Sequence, residues 1–140
     1  AESGKKILYF ATDVSQSILI FTVLQQLGIK AIHVDGKSNR SFRRQIIKKF
    51  KETNEINIIC NYDIFSTGFD VPDLDVVFIG RPINSPVLLS QIIGRGTRGP
   101  KMGSEKNSFL LVQVTDKIKS KNTNFNPYEQ YAYWDKNWKN

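Results

Sequence analysis

The sequence is poor in the features that define several large classes of protein. Its 140 residues include one cysteine, Cys60, and one histidine, His33. A single cysteine excludes a disulfide within the chain and any metal site built from clustered cysteines. No stretch approaches the roughly 18 apolar residues that a membrane-spanning helix requires. We therefore expect a protein of a reducing, cytoplasmic compartment with no membrane partner.

Acidic residues are scarce relative to basic ones. The chain has 20 Lys and Arg against 13 Asp and Glu, which gives a net charge of +7. Residues Lys37 to Lys51 contain seven Lys or Arg and no acid. An excess of this sign favours a polyanionic partner, with nucleic acid as the first candidate.

The most informative absence is a phosphate-binding loop. Gly36-Lys37-Ser38 has the ending of the pattern G-x-x-x-x-G-K-[ST], but Ala31 stands where the first glycine belongs. The residues before Gly36 are apolar and β-prone, so a strand is predicted where the loop should be, and N–H groups in a strand pair with neighbouring strands. No acidic D-E-x-[DH] stretch for Mg²⁺ is present. If a nucleotide binds here, this chain supplies only part of its site.

Strand and helix patterns alternate along most of the chain. In chain order, the patterns predict a strand over 6–10, a helix over 12–28, a strand over 30–34, a helix over 39–51, strands over 56–60 and 75–80, a helix over 86–96 and a strand over 108–114. The residues expected to face inward from the first two helices are Val14, Ile18, Phe21, Leu24, Phe42, Ile46, Ile47 and Phe50. Such alternation predicts an α/β fold with a mainly parallel sheet covered on both faces, and a site at the carboxyl ends of the strands.

The last segment differs from the rest. After a polar linker, Asn126 could cap a helix that has Pro127 at its first position and Glu129 completing a capping box. The aromatic side chains of that helix would lie roughly along one face: Tyr128, Tyr131, Trp134 and Trp138. The aromatic face could dock on the domain or on a neighbour, or it could stack on bases.

Two stretches carry residues suited to nucleotide chemistry. In "SQIIGRGTRGP", Arg95 and Arg98 are three residues apart and share a face on a helical turn. Their guanidinium groups could stabilise charge in phosphoryl transfer, or form ordinary ion pairs. In "STGFDVP", Gly68 permits close backbone approach to a ligand, and Asp70 could accept from a ribose hydroxyl or cap a turn.

These stretches resemble motifs of superfamily 2 helicases and translocases. "STGFDVP" followed by "QIIGRGTR" is similar to motifs V and VI, and "KILYFATDVSQS" is similar to motif IV. The spacing of Gly36, Arg43 and Phe50 also follows the family. The resemblance covers about residues 6 to 115. It implies the second, C-terminal RecA-like domain of a DEAD/DEAH-box helicase, closest to the helicase subunits of type III restriction enzymes.

The resemblance also implies roles for particular residues. Arg95 and Arg98 match arginine fingers that reach the γ-phosphate, and Gln91 matches the polar residue that opens motif VI. Gly68 and Asp70 match the motif V pair near the nucleotide. The positions that fall where relatives contact the nucleic-acid backbone or line the cleft are Thr12, Gly36, Lys37, Asp63 and Thr67. Relatives often have Thr before the motif V acid, where this chain has Tyr62.

The implied domain organisation is a RecA-like domain over residues 1–115 and a linker with an aromatic helical extension over 116–140. ATP and Mg²⁺ would be bound mainly by a first RecA-like domain outside this chain. DNA is favoured over RNA, with possible restriction or repair subunits as partners. A stand-alone nucleic-acid-binding or scaffold module without ATPase activity is the alternative. For Gly36-Lys37-Ser38, a backbone-phosphate contact and a plain turn capped by Ser38 or Asn39 both stay open. His33 and Cys60 are expected to be structural, with Cys60 an inert buried thiol.

Overall fold

A computed structural model describes residues 4–62, 74–80 and 110–114 of the chain. In these residues five strands and two helices follow one another as β1 (Ile7–Phe10), α1 (Val14–Gln26), β2 (Ala31–Asp35), α2 (Arg40–Glu52), β3 (Ile58–Tyr62), β4 (Val76–Ile79) and β5 (Leu110–Gln113). The predicted helix over 86–96 and the aromatic segment over 116–140 lie outside the described residues.

The strands form one sheet in the order β2-β3-β1-β4-β5, and every neighbouring pair is parallel. β1 is central and pairs with β3 on one side and β4 on the other. The predicted parallel α/β sheet is therefore confirmed. Because all five strands run the same way, their carboxyl ends meet at one edge, which we call the carboxyl edge.

Alternate residues of each strand define two faces of the sheet. The residues of the first face pack against α2 and form the core: Leu8, Phe10, Val34, Ile59, Val77 and Ile79. We call it the α2 face. The opposite face, which we call the α1 face, includes Tyr9, His33 and Cys60. Helix α1 lies on this face, as shown by the hydrogen bonds of Ser17 with His33 and of Gln16 with Tyr9. The two helices thus cover opposite faces and give three layers.

Helix α2 begins after Asn39, whose side chain accepts a 2.7 Å hydrogen bond from the Phe42 amide. Ile46 and Phe50 are buried against the sheet, and Ile47 packs at the margin of this core, as predicted. The prediction for Phe42 is wrong, because its side chain is 37% exposed. Phe42 lies one turn before Ile46 on the same side of the helix, but it belongs to the first turn of α2 and is more exposed than Ile46 or Phe50.

Helix α1 begins after Asp13, which accepts a hydrogen bond from the Gln16 amide at 2.8 Å. It ends at Leu27, followed by Gly28 with a φ of 72°, a left-handed conformation that favours glycine. Val14, Phe21 and Leu24 are half-buried. The prediction for Ile18 is wrong, because it is 44% exposed while its neighbour Ser17 is fully buried.

Strand β3 lies two residues later than predicted, at Ile58–Tyr62 instead of 56–60. Its polar residue Asn61 is fully buried, and the Asn61 side-chain Nδ2 donates to the Tyr9 carbonyl at 2.8 Å. A partner on another strand therefore keeps a polar residue inside the sheet.

Candidate nucleic-acid interface at the carboxyl edge

Three of the predicted nucleic-acid residues lie at the carboxyl edge, and all three are exposed: Thr12, Gly36 and Lys37. Thr12 follows β1, while Gly36 and Lys37 follow β2. β3 separates these two strands in the sheet, so their ends are about 10 Å apart. The structure therefore brings the three residues to one edge of the domain, as a shared nucleic-acid surface requires.

The remaining predicted site residues lie outside the described residues, and the structure tests none of their positions. Asp63, Thr67, Gly68 and Asp70 belong to the segment that leaves β3 after Tyr62. The segment between β4 and β5 contains Gln91, Arg95 and Arg98. Their roles stay predictions.

The turn after β2 is organised by Asp35. Its Oδ1 accepts hydrogen bonds from the Lys37 and Ser38 amides, each at 2.9 Å, and from the Ser38 hydroxyl at 3.1 Å. Burial raises the pKa of Asp35, but these hydrogen bonds outweigh that effect, so the net pKa is below its ordinary value of 3.8. A carboxylate already occupies the two amides that a phosphate would need. A phosphate at this turn would therefore rely on the Lys37 side chain and the backbone at Gly36.

Among the residues that the structure describes, none gives Gly36 a steric reason to be glycine. A Cβ added there would meet no atom within 4 Å. Space above the turn is therefore open to a ligand, and a side chain would occupy that space without disturbing its neighbours. This makes Gly36 a position where binding can be altered separately from stability.

Arg43 holds the turn from the first part of α2. Its Nε donates to the Ser38 carbonyl at 2.7 Å, and its Nη2 lies 3.4 Å from the Gly36 carbonyl. Seven residues later on the same side of the helix, Phe50 is fully buried, with the Lys6 ammonium 5.2 Å from its ring centroid. The family spacing of Gly36, Arg43 and Phe50 therefore has a structural cause: Arg43 fixes the turn and Phe50 anchors the helix. Apart from the spacing, no feature of the sequence predicted this role for Arg43.

The outer side of α2 carries an exposed row of cations. These residues, which we call the α2 basic row, are Arg40, Arg44, Lys48 and Lys51. Four-residue steps on a helix keep side chains on one face about 6 Å apart along the axis. Within the described residues, no hydrogen bond or ion pair engages the row, whereas the nearby Lys49 ammonium contacts Glu55 Oε2 at 2.8 Å. The row starts three residues after Lys37 in the sequence.

A serine, a histidine and an aspartate form a chain beneath α1. Ser17 Oγ and His33 Nδ1 are 2.7 Å apart, and His33 Nε2 lies 3.5 Å from Asp35 Oδ2. Ser17 is fully buried, so its hydroxyl cannot reach a substrate as a nucleophile would have to. The contacts link α1, β2 and the Asp35 turn, which supports the structural interpretation of His33. Sequence patterns missed Ser17, because a serine within an apolar helical stripe carries no signal of burial.

Cys60 lies on the α1 face and is fully buried. Burial raises the pKa of its thiol from 9.0 to about 12. The predicted inert, buried thiol is therefore confirmed.

The described residues contain no cluster of metal ligands and no helix that could span a membrane. In residues 4–62, 74–80 and 110–114, no three His, Cys, Asp or Glu side chains come together in a way that could hold a metal ion. Neither described helix has the length and apolar character needed to cross a membrane.

The chain belongs to a known family of domains. Residues 1–99 match the model of the helicase conserved C-terminal domain. The match includes Thr12, Gly36 and Lys37 at the carboxyl edge and the stretch from Gln91 to Arg98. The predicted membership among helicase C-terminal domains is thereby confirmed, while the finer resemblance to type III restriction subunits stays a prediction.

Two curated relatives show how much of a larger protein this domain represents. The chain is 38% identical over 96 residues to the 51.5 kDa protein of a Lactococcus phage, covering 69% of this chain and 21% of that protein. It is 34% identical over 97 residues to the putative ATP-dependent helicase IRC3 of Saccharomyces cerevisiae, covering 69% of this chain and 14% of that protein. The chain thus spans about a fifth or less of these relatives.

Solved structures share the fold. The C-terminal part of the Fun30 ATPase domain superposes with a TM-score of 0.70 at 22% identity, covering 91% of this chain and 42% of that chain. Domain 2 of the DEAD-box helicase Mss116p, solved bound to an RNA duplex, gives a TM-score of 0.56 at 25% identity and covers 80% of this chain and 43% of that chain. The fold is that of a RecA-like helicase C-terminal domain.

Proposed function

We propose that this chain is the second motor domain of an ATP-dependent helicase or translocase. The observation that carries the proposal is the family match over residues 1–99, which includes the exposed carboxyl-edge residues Thr12, Gly36 and Lys37 and the two arginines. In this proposal nucleic acid crosses the carboxyl edge, and a nucleotide lies between this domain and a first RecA-like domain in the same protein.

The nucleic-acid part of the proposal is supported by charge and exposure. Thr12, Gly36 and Lys37 are exposed at one edge, and the α2 basic row extends from it. Asp63 and Thr67 are proposed to complete this surface. Phosphate contacts of this kind position a nucleic acid without reading its sequence.

The nucleotide part rests on residue types and their spacing. Arg95 and Arg98 are proposed to reach the γ-phosphate when the two domains close, with Gln91 coupling them to the cleft. Gly68 and Asp70 are proposed to lie near the ribose. The first domain is proposed to hold most of the ATP and Mg²⁺, since this chain lacks a phosphate-binding loop. Bound Mg²⁺ would neutralise phosphate charge, and the arginines would stabilise charge that develops during transfer.

The polymer is proposed to be nucleic acid, with DNA in a restriction or repair setting as the finer hypothesis and a cytoplasmic location. The residues exposed at the carboxyl edge suit contact with a phosphate backbone, which DNA and RNA share. They therefore do not distinguish between the two polymers. Mss116p domain 2 was solved with RNA, so RNA is the rival that the experiment must include.

A stand-alone binding module is the second candidate. The α2 basic row favours it, because these exposed cations could hold a polyanion without any nucleotide. This candidate predicts salt-dependent binding without polymer-stimulated ATP hydrolysis.

ATP hydrolysis by the full-length protein distinguishes the two. We would measure turnover without polymer and with duplex DNA, single-stranded DNA and RNA. The motor proposal predicts that at least one polymer raises the rate, and the most effective polymer names the substrate class. Tight binding of all polymers with no stimulation by any would contradict the motor and support the module.

A further inference from the structure

A path of polar contacts connects two of the proposed nucleic-acid positions. Thr12 lies just before α1, and Ser17 belongs to the start of that helix. The Ser17 hydroxyl contacts His33 Nδ1 at 2.7 Å, and His33 Nε2 lies 3.5 Å from Asp35 Oδ2. The other carboxylate oxygen of Asp35 accepts a hydrogen bond from the Lys37 amide at 2.9 Å. The path therefore crosses from the start of α1 to the turn after β2.

Burial restricts the geometry of this path. Ser17 is fully buried, and the side chains of His33 and Asp35 are only 16% and 15% exposed. In the sheet, His33 pairs with Cys60 of β3, which is fully buried as well. The imidazole therefore lies between a buried residue of α1 and a buried strand, where close packing leaves it few other orientations.

The contacts favour one position for the proton on His33. A neutral imidazole has one donor nitrogen and one acceptor nitrogen. If Nδ1 carried the proton, the lone pair of Nε2 would face the Asp35 carboxylate in a mostly buried site, and the two would repel each other. If the Ser17 hydroxyl donates to Nδ1, the Nε2 proton faces Asp35 Oδ2 and the two attract. Within the described residues no other group hydrogen bonds to Nε2, so the second arrangement is favoured.

We infer that His33 is a positioning residue for the turn that contains Gly36 and Lys37. A carboxylate is planar, so an Nε2 proton beside Oδ2 orients Oδ1 of Asp35 towards the Lys37 amide. The turn then holds one conformation before a phosphate arrives, which lowers the entropic cost of binding it. The inference rests on the proposed function, because it assumes that this turn contacts nucleic acid.

A second contact holds the same turn from α2. Arg43 Nε donates to the Ser38 carbonyl at 2.7 Å, whereas His33 acts through the carboxylate of Asp35, which holds the amides of the turn. The two contacts use different groups of the turn. Loss of the His33 contact is therefore expected to loosen the turn without unfolding the domain.

The affinity of the full-length protein for duplex DNA, and for RNA in a second series, tests the inference. His33→Phe keeps a ring of similar size and removes both nitrogens. It should weaken binding roughly fivefold, which lies within the range by which contacting residues couple. His33→Gln keeps a side-chain N–H that can face Asp35 and should retain most of the affinity. The effect of His33→Phe should disappear in a Lys37→Ala background, because it acts through that turn.

Lys37→Ala separates failure of the inference from failure of the proposed function. If Lys37→Ala alone binds both polymers as the parent does, the turn is not a nucleic-acid contact, and this part of the proposed function fails together with the inference. If Lys37→Ala weakens binding, three results overturn the inference alone: unchanged affinity in His33→Phe, additive effects in the double variant, or a His33→Gln variant as weak as His33→Phe.

Circular dichroism must show that His33→Phe keeps the helical content of the parent. If it does not, Ser17→Ala takes its place in the same double-variant comparison, because it removes only the hydroxyl that holds the ring. Ser17→Ala is expected to weaken binding roughly twofold. Unchanged affinity in Ser17→Ala would then overturn the inference.

The parent chain offers a test that needs no substitution. His33 is its single histidine, so the ring signals in an NMR spectrum of the untagged 140-residue chain need no assignment. At mildly alkaline pH, where an ordinary imidazole is neutral, ¹⁵N–¹H correlations should show the ring proton on Nε2. A ring proton on Nδ1 would overturn the inference, because Nε2 could then not donate towards Asp35.

Discussion

The two helices of this domain distribute polar and apolar residues in opposite ways. Helix α2 buries Ile46 and Phe50 and turns Arg40, Arg44, Lys48 and Lys51 outward. Helix α1 buries a serine and leaves Val23 and Leu27 exposed. The difference indicates that α2 is a completed element whose outer side is free for a charged partner. Helix α1 instead turns apolar side chains outward and a polar one inward.

Removing the anchor of α2 should have the largest effect. Phe50→Ala is expected to lower the free energy of unfolding by about 3–5 kcal/mol, because it leaves a cavity in a close-packed core. Phe42→Ala, at a more exposed position in the first turn of the same helix, should cost about 1 kcal/mol or less. Urea unfolding of both variants measures the contrast. Equal losses would mean that the two positions are not as different as their burial indicates.

Removing charge from the outer side of α2 should change binding rather than folding. In the full-length protein, Arg44→Ala with Lys48→Ala is expected to reduce the slope of log affinity against log salt concentration by about 2 on duplex DNA. Lys49→Ala is the control, because its ammonium is paired with Glu55. Titrations at several salt concentrations measure the slope. An unchanged slope in the double variant would remove the α2 basic row from the interface.

The polar contacts beneath α1 should make the free energy of unfolding decrease at acidic pH. The folded pKa of Asp35 is below its ordinary value of 3.8. Its contribution is therefore fully present above that value and is lost as pH falls through the folded pKa. Asp35→Asn should cost about 1 kcal/mol at pH 7 and should weaken the loss of stability between pH 5 and pH 2.

Unfolding measured across this pH range tests the expectation. Glu55→Gln is the control, because that carboxylate is exposed and paired only with Lys49 on the surface, so a smaller change is expected. If the parent and Asp35→Asn lose the same free energy of unfolding as the pH falls, then ionised Asp35 does not stabilise the fold.

Gly36 should give the smallest effect on stability. Because a Cβ there meets no atom within 4 Å, Gly36→Ala is expected to change the unfolding free energy by about 0.5 kcal/mol or less. If nucleic acid approaches the turn closely, the same variant should bind it more weakly. Full binding by Gly36→Ala would place the polymer elsewhere along the carboxyl edge.

Periodicity predicted the elements well because each buries an apolar pattern. The bounds of α1 and α2 differ from the predicted ones by one or two residues at each end. The errors arise where a partner that is distant in sequence determines whether a residue lies in a strand or is buried. Asn61 belongs to a strand because the Tyr9 carbonyl accepts its side-chain hydrogen bond. Ile18 is exposed because Ser17 takes the inward position to meet His33. Neither partner can be identified from local sequence.

The site was predictable to a different degree. Thr12, Gly36 and Lys37 share one edge because the strands are parallel, as the alternating pattern predicted. The occupation of the Lys37 and Ser38 amides by Asp35 depends on the geometry of one turn. The hydrogen bond from Arg43 to the Ser38 carbonyl depends on where α2 begins, and Asn39 fixes that point as the N-cap. Such contacts require coordinates, because many residues of the same types lie equally near in sequence.

The most direct test of the motor proposal is the turnover number of the full-length protein at saturating polymer and ATP. Arg95→Ala and Arg98→Ala should each lower it by about 10³-fold or more, as expected for arginines that stabilise transferring phosphate. Arg44→Ala, which removes an arginine from the α2 basic row, should leave it nearly unchanged under the same saturating conditions. Turnover in Arg95→Ala and Arg98→Ala equal to that of Arg44→Ala would contradict the assignment of this chain as the domain that completes the ATP site.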